Sequence, residues 1–162
     1  MPICGYTVFM EIVPASTPAH LATVRQLFEE YWQSFGFTPC FQNFAAEVDG
    51  LPGYYAPPAG RLALALDNGA PVGCVALRPV DRLRAEAKRL YVRPQFRDRG
   101  AGLALLQWVI AEARAAGYRE MLGDTMPVMR RALAMYERLG FEQTGPYMPD
   151  ATPGAIYLRL AL

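Results

Sequence analysis

Arg97, Arg99, Gly100 and Gly102 crowd into one short stretch, FRDRGAG, at residues 96–102. An apolar run stops just before it at Arg93-Pro94, and Leu103, Leu106, Ile110 and Ala113 then recur at helical spacing. The chemistry this points to is anion binding. The first N–H groups of a helix have no partner within the helix, and the aligned peptide dipoles add partial positive charge there. Glycine lacks the Cβ that would hold a phosphate away from those groups, and two arginines add charge. A plain glycine turn before a helix gives the same local pattern, so the segment alone leaves both readings open. Two other phosphate loops do not fit. No Gly-Lys-Ser/Thr follows, and the third glycine of the dinucleotide fingerprint is missing.

The composition limits what such a segment serves. The chain has 162 residues, enough for one domain with a sizeable core. Hydrophobic residues make up 52% and charged residues 19%, which argues against disorder. A formal net charge of +1 argues against nucleic acid as a partner, because phosphate-driven binders are more basic. No apolar run reaches the roughly 18 residues of a membrane span, and no signal-like start is visible, so no membrane partner is expected. Cys4, Cys40 and Cys74 are odd in number and widely spaced, without a C-x-x-C. They suit neither a disulfide framework nor a zinc site, and a reduced cytoplasmic setting is expected. His20 has no partner histidine and reads as a helix-start or surface residue, so no metal is expected. Lys88 is the only lysine among 16 basic residues.

Several elements must position the anion site. Residues 6–13 read as a strand ended by Pro14. Ser16-Thr17-Pro18 opens a helix in which Leu21, Val24, Leu27, Phe28, Tyr31, Trp32 and Phe35 share a face as far as Gly36. Residues 38–48 predict a shorter helix, and residues 50–60 a loop dense in Gly and Pro. Residues 61–66 and 71–77 predict strands joined at Asp67-Asn68-Gly69, a hairpin signal, and residues 85–92 a further strand. Residues 100–116 predict a helix with Gly117 at its end, and residues 118–123 a short strand. Thr125 is the expected cap of another helix, with Pro127 in its first turn and Met129, Leu133 and Tyr136 on one face up to Gly140. Strands are expected from residue 141 and at residues 155–160. The fold class is mixed α/β, with a mostly antiparallel sheet flanked by helices in one domain spanning residues 1–162.

Two longer patterns carry a resemblance. Arg97-Asp98-Arg99-Gly100-Ala101-Gly102 matches Arg/Gln-x-x-Gly-x-Gly/Ala, the pyrophosphate motif of the GNAT acetyltransferase superfamily. Lys88-Arg89-Leu90-Tyr91-Val92-Arg93-Pro94 resembles that family's central strand. Ala132 to Phe141, ALAMYERLGF, resembles its second signature, a helix with a tyrosine that ends in Leu-Gly-Phe. The resemblance covers residues 60–145 well, and residues 1–60 only in coarse plan.

The resemblance implies a sheet whose two central strands, at residues 85–92 and 119–124, splay apart to admit acetyl-CoA as co-substrate. Residues 61–145 form the acetyl-CoA-binding core, residues 1–60 the acceptor side, and residues 146–162 a C-terminal loop and strand. Backbone groups of Leu90, Tyr91 and Val92 are the positions matching the pantetheine arm, which binds as an added strand, and one N–H there polarises the thioester. Arg97, Asp98, Arg99, Gly100, Ala101, Gly102 and Leu103 match the pyrophosphate site. The expected acceptor is a primary amine, and the expected reaction is direct transfer in a ternary complex. At pH 7 only about one alkyl amine in 10³ is neutral, so a base helps. Glu86 matches the family's catalytic glutamate. A glutamate paired with Arg84 or Arg89 is the structural alternative. Asp124 is a second candidate base or a helix cap. Tyr136 matches the tyrosine that protonates the departing thiolate, or else is a core residue of an amphipathic helix.

Acceptor-side pieces hold Tyr31, Trp32, Phe35, Phe37, Tyr54, Tyr55 and Tyr147, able to pack or to face a cationic amine. Glu29, Glu30, Glu47, Asp49 and Asp150 are few acids for a polycation, so a small or amino-acid-like amine is expected. Arg78, beyond the end of its strand, is a candidate partner for an acceptor carboxylate or equally a surface residue. Two other readings use the same residues: an acyl-CoA-binding domain without catalysis, and a module that binds protein through aromatics of residues 31–55. Family members also pair through C-terminal strands, so a homodimer is a possible partner.

Overall fold

A computed structural model describes residues 10–36, 43–149 and 151–162. Among the described residues, seven strands form one sheet in the order β1-β2-β3-β4-β5-β7-β6. They are β1 (Met10–Pro14), β2 (Arg61–Asp67), β3 (Ala70–Pro79), β4 (Arg84–Val92), β5 (Glu120–Thr125), β6 (Glu142–Thr144) and β7 (Ile156–Ala161). Every neighbouring pair is antiparallel except β4 with β5. That parallel pair needs a crossover, which is helix α3 (Ala101–Ala115). The other helices are α1 (Pro18–Ser34), α2 (Phe44–Asp49) and α4 (Arg130–Arg138). The mixed α/β class and the mostly antiparallel sheet are as the sequence led us to expect.

Apolar side chains fill both faces of the sheet. Ala85 and Ala87 of β4, Val75 and Leu77 of β3, and Leu105, Leu106, Val109 and Ile110 of α3 form one core. Leu62 and Leu64 of β2, Cys74 and Ala76 of β3, and Val24, Leu27, Phe28 and Trp32 of α1 form the other. Thr17 caps α1, its hydroxyl accepting from the His20 N–H at 3.1 Å, so His20 is a helix-start residue.

Element edges shift by a few residues from the sequence reading. Pro14 closes β1, paired with Ala63, rather than lying beyond it, which an edge strand allows. Thr125 is not a helix cap. It ends β5, its hydroxyl donates to Met129 Sδ at 3.4 Å, and α4 starts later, without a side-chain cap. The expected helix over residues 38–48 begins at Phe44 among the described residues. Phe37, Cys4, Cys40 and Asp150 lie outside them.

Candidate functional site

β4 and β5 are paired only at Arg84–Glu120, Ala85–Met121 and Glu86–Leu122. Beyond Glu86 the strands part, and the backbone edge of β4 faces a cleft. Opposite, β4 keeps its pairing to β3, but with a step between Cys74 and Ala76. Arg89 sits at this bulge with φ 58°, in the left-handed region. That conformation costs about 1–2 kcal/mol for a side-chain-bearing residue. Its guanidinium is held firmly. Nε and Nη2 donate to Glu47 at 2.8 and 3.1 Å, and the ion lies 5.1 Å from the Trp32 ring and 5.6 Å from Phe44. Tyr91, next beyond Leu90, faces α1 and meets Tyr31 edge-on at 5.8 Å. The bulge thus resets the strand where the splay opens.

The cleft is lined by Tyr31, Lys88, Arg89 and Leu90 on one wall and Asp124, Thr125, Met129 and Tyr136 on the other. Leu90, Asp124 and Tyr136, separate in the sequence, meet here. Burial pushes the Tyr136 phenol up and the Tyr31 phenol up to about 12, so both are neutral proton donors near pH 7. Gly123, on β5, faces the Tyr136 ring, and a Cβ there would lie in ordinary contact with it at 3.8 Å.

At one mouth of the cleft stands the start of α3. Gly100 precedes the helix with φ 87°, a conformation that glycine adopts freely. Among the described residues, the N–H groups of Asp98, Arg99, Gly100, Ala101, Gly102 and Leu103 donate to no protein acceptor. The loop is braced from outside. Asp98 accepts from Arg131 Nη1 at 2.9 Å, and Arg99 reaches Asp67 at 3.3 Å and stacks on Phe96 at 5.4 Å. Arg97 Nε donates to the Val92 carbonyl at 3.0 Å, and Val92 and Leu90 pack on the α3 side. This cradle of free N–H groups, with basic residues around it, suits a phosphate chain. The unpaired β4 edge suits an extended arm.

The other end is a knot of charges. Glu86 is 2% exposed. Its Oε1 accepts from Arg78 Nε at 2.7 Å and lies 3.7 Å from Lys88 Nζ. Its Oε2 accepts a short hydrogen bond from the Tyr147 hydroxyl. The cations that pair with it are therefore Arg78 and Lys88, not Arg84 or Arg89. Arg84 instead pairs with Asp81. Arg78, a sequence candidate for an acceptor carboxylate, lies within β3 and is engaged by Glu86. Burial holds Lys88 below the ordinary lysine range, partly offset by Glu86. Burial raises Tyr147, and the Glu86 charge raises it further. Asp124 differs from Glu86: it makes no hydrogen bond or ion pair among the described residues, and burial lifts its carboxyl above the usual range, with Lys88 opposing.

Other expected aromatics divide. Trp32 stacks on Phe44 at 4.2 Å and Tyr55 is 2% exposed, so both pack, whereas Tyr54 is open to solvent. The sequence reading did not find the Glu86–Lys88–Tyr147 grouping. The one visible signal was Lys88, a lone lysine in an arginine-rich chain. Among the described residues, no group of three His, Cys, Asp or Glu side chains is placed to hold a metal ion, and no helix is long and apolar enough to cross a membrane.

Known proteins share this plan. The sequence profile described as Acetyltransferase (GNAT) family matches residues 21–141. An uncharacterised N-acetyltransferase of Schizosaccharomyces pombe is 34% identical over 155 residues, 94% of this chain and 95% of its own. A solved acetyltransferase from Streptococcus agalactiae superposes with a TM-score of 0.77 at 24% identity, over 94% of this chain and 98% of its own. A GNAT family acetyltransferase from Elizabethkingia anophelis, solved with acetyl-CoA bound, superposes at 0.63 with 22% identity, over 94% of this chain and 98% of its own.

Proposed function

Because the chain belongs to the acetyltransferase (GNAT) family, we propose that it moves the acetyl group of acetyl-CoA directly onto a primary amine of a small or amino-acid-like molecule. The observation that carries this reading is the splay of β4 from β5 beyond Glu86, with six free N–H groups at one mouth and Tyr136 inside. In it, the N–H groups of residues 98–103 and the charge of Arg97 hold the pyrophosphate. The free edge of β4 at Leu90, Tyr91 and Val92 aligns the arm, and an N–H of that edge faces the thioester oxygen. Tyr136, kept protonated by burial, gives its proton to the departing sulfur. A carboxylate at the acceptor end relieves the amine of a proton. Glu86 fills that role only through a neighbour, since both of its oxygens are engaged. The cleft offers one aspartate, one lysine and tyrosines, which suits a small polar amine better than a polycation.

Calorimetric titration with acetyl-CoA tests the reading, with Gly100→Glu and Gly102→Glu alongside. Micromolar binding that both variants lose, and thiol release when primary amines are added, is the expected result. A wild-type protein that binds acetyl-CoA but releases no thiol with any amine would be an acyl-CoA-binding domain. One that binds none would overturn the proposal.

A further inference from the structure

Two carboxylates stand near the acceptor end, and the structure treats them differently. Glu86 is enclosed, with Arg78, Lys88 and Tyr147 around its two oxygens. Asp124 lines the cleft on the same wall as Tyr136 and has no partner among the described residues. A half-buried carboxylate without a partner costs stability, and such a cost is commonly tolerated where the group acts. Resting on the acetyltransferase reading, we propose that Asp124, rather than Glu86, takes the proton from the acceptor amine. Glu86 is then a positioning residue that fixes Lys88, Arg78 and the Tyr147 loop.

The step balances with the groups in the cleft. The neutral amine nitrogen bonds to the thioester carbon while Asp124 accepts its N–H proton. The carbon–sulfur bond breaks, the electron pair leaves on sulfur, and Tyr136 gives that sulfur its proton. Asp124 now holds the proton taken from the amine and Tyr136 lacks the one given to sulfur, so one transfer from Asp124 to Tyr136 restores both. Burial supports the choice, because a carboxyl lifted toward neutrality is a stronger base than a solvated one. The groups that set its titration are Lys88, Glu86 and Arg89 on β4, Arg78 on β3, Tyr31 on α1, Tyr136 on α4, and Tyr147 and Tyr157 from the C-terminal segment. Lys88, directly across, also disfavours the protonated acceptor.

The test is a pair of pH–rate profiles, with 2-phenylethylamine as acceptor and with water alone as acceptor in slow acetyl-CoA hydrolysis. In the wild type, the hydrolysis profile, which the amine's own titration does not enter, falls on the acid side as Asp124 is protonated, at a pH above the ordinary aspartate value of about 3.9. Asp124→Asn lowers the rate about 100-fold and removes that acid limb, with acetyl-CoA affinity within about twofold of wild type in calorimetry. Glu86→Gln, although slower, keeps the limb. Asp124→Ala regains rate on addition of formate, which guards against an Asn variant that folds poorly. Retention of the limb in Asp124→Asn with a rate within threefold, or its loss only in Glu86→Gln, overturns the assignment and leaves the acetyltransferase reading intact. A wild type that binds no acetyl-CoA overturns both.

Discussion

The two ends of one cleft are built from different material. At the end proposed for the phosphates, the groups left open are peptide N–H groups of residues 98–103, and glycines serve by what they lack. At the acceptor end, they are side chains drawn from β3, β4, β5, α1, α4 and the loop before β7. Backbone recognition is written in one contiguous run of residues. A side-chain cluster is written in positions scattered from Tyr31 to Tyr147, and only the fold brings them together. The two ends should therefore fail differently when altered: the first in binding with the fold intact, the second in stability or rate with binding intact.

The largest effect is expected at Glu86. Replacing it with alanine strips the partner from Arg78 and Lys88 and from the Tyr147 hydroxyl. Removing one member of a buried pair costs about 3 kcal/mol at the low end of the usual range, and the low end applies because Arg78 is 23% exposed. Urea unfolding should show that loss, while acetyl-CoA affinity at 25 °C stays within about threefold. A stability loss below about 1 kcal/mol would mean that the knot is a surface network of the weak kind.

Next comes Gly102→Glu. A Cβ there would lie 3.4 Å from Met135 Cε, which a flexible side chain accommodates, so the fold should persist. The added carboxylate stands among the free N–H groups, and acetyl-CoA should bind at least about 100-fold more weakly, or about 2.7 kcal/mol. Calorimetry reads the affinity and thermal melting reads the fold. An unfolded variant would make the phosphate end structural and erase the contrast.

The contrast also explains what the sequence disclosed. The Arg-x-x-Gly-x-Gly run and the tyrosine helix were visible because each is local and each obeys helix-terminus or helix-face physics. The hairpin at Asn68-Gly69 was visible for the same reason, as was the order of strands and helices. The bulge at Arg89 was not, since nothing in KRLYV shows that an arginine takes φ 58°. Only Glu47, Trp32 and Phe44, far away in the chain, hold it there. Arg78 looked open either to an acceptor carboxylate or to solvent because β3 runs two residues beyond its sequence signal, and in the fold it is engaged by Glu86. Thr125 was read as a cap because its type suits one, whereas β5 extends through it.

Tyr136→Phe should be milder. The ring stays packed edge-on to Phe141 at 4.9 Å, and only the hydroxyl is lost. Thiols titrate near 8.5, so a thiolate departs tolerably without help. A fall in kcat of about tenfold, or about 1.4 kcal/mol, with unchanged acetyl-CoA affinity is expected. Unchanged kcat would return Tyr136 to the core.

The smallest effect separates the arginines of the phosphate end from one another. Arg93 is matched by Glu30 at 2.8 Å, Arg99 by Asp67, and Arg131 by Asp98. Arg97 is different: its Nε rests on a neutral carbonyl of Val92, and no carboxylate pairs with it among the described residues. Its charge is therefore the one free to act on a phosphate, and it is exposed, so solvent and salt weaken it. Arg97→Ala should weaken acetyl-CoA binding about threefold at low salt, or about 0.6 kcal/mol, and leave almost no difference near 1 M salt, where the Debye length is about 3 Å. Arg99→Ala should change affinity less, because its charge is already answered by Asp67. If the two substitutions were equal at low salt, pairing with Asp67 would not matter to the anion. The phosphate end would then depend on net charge as well as on its backbone, and the distinction between the two ends would narrow.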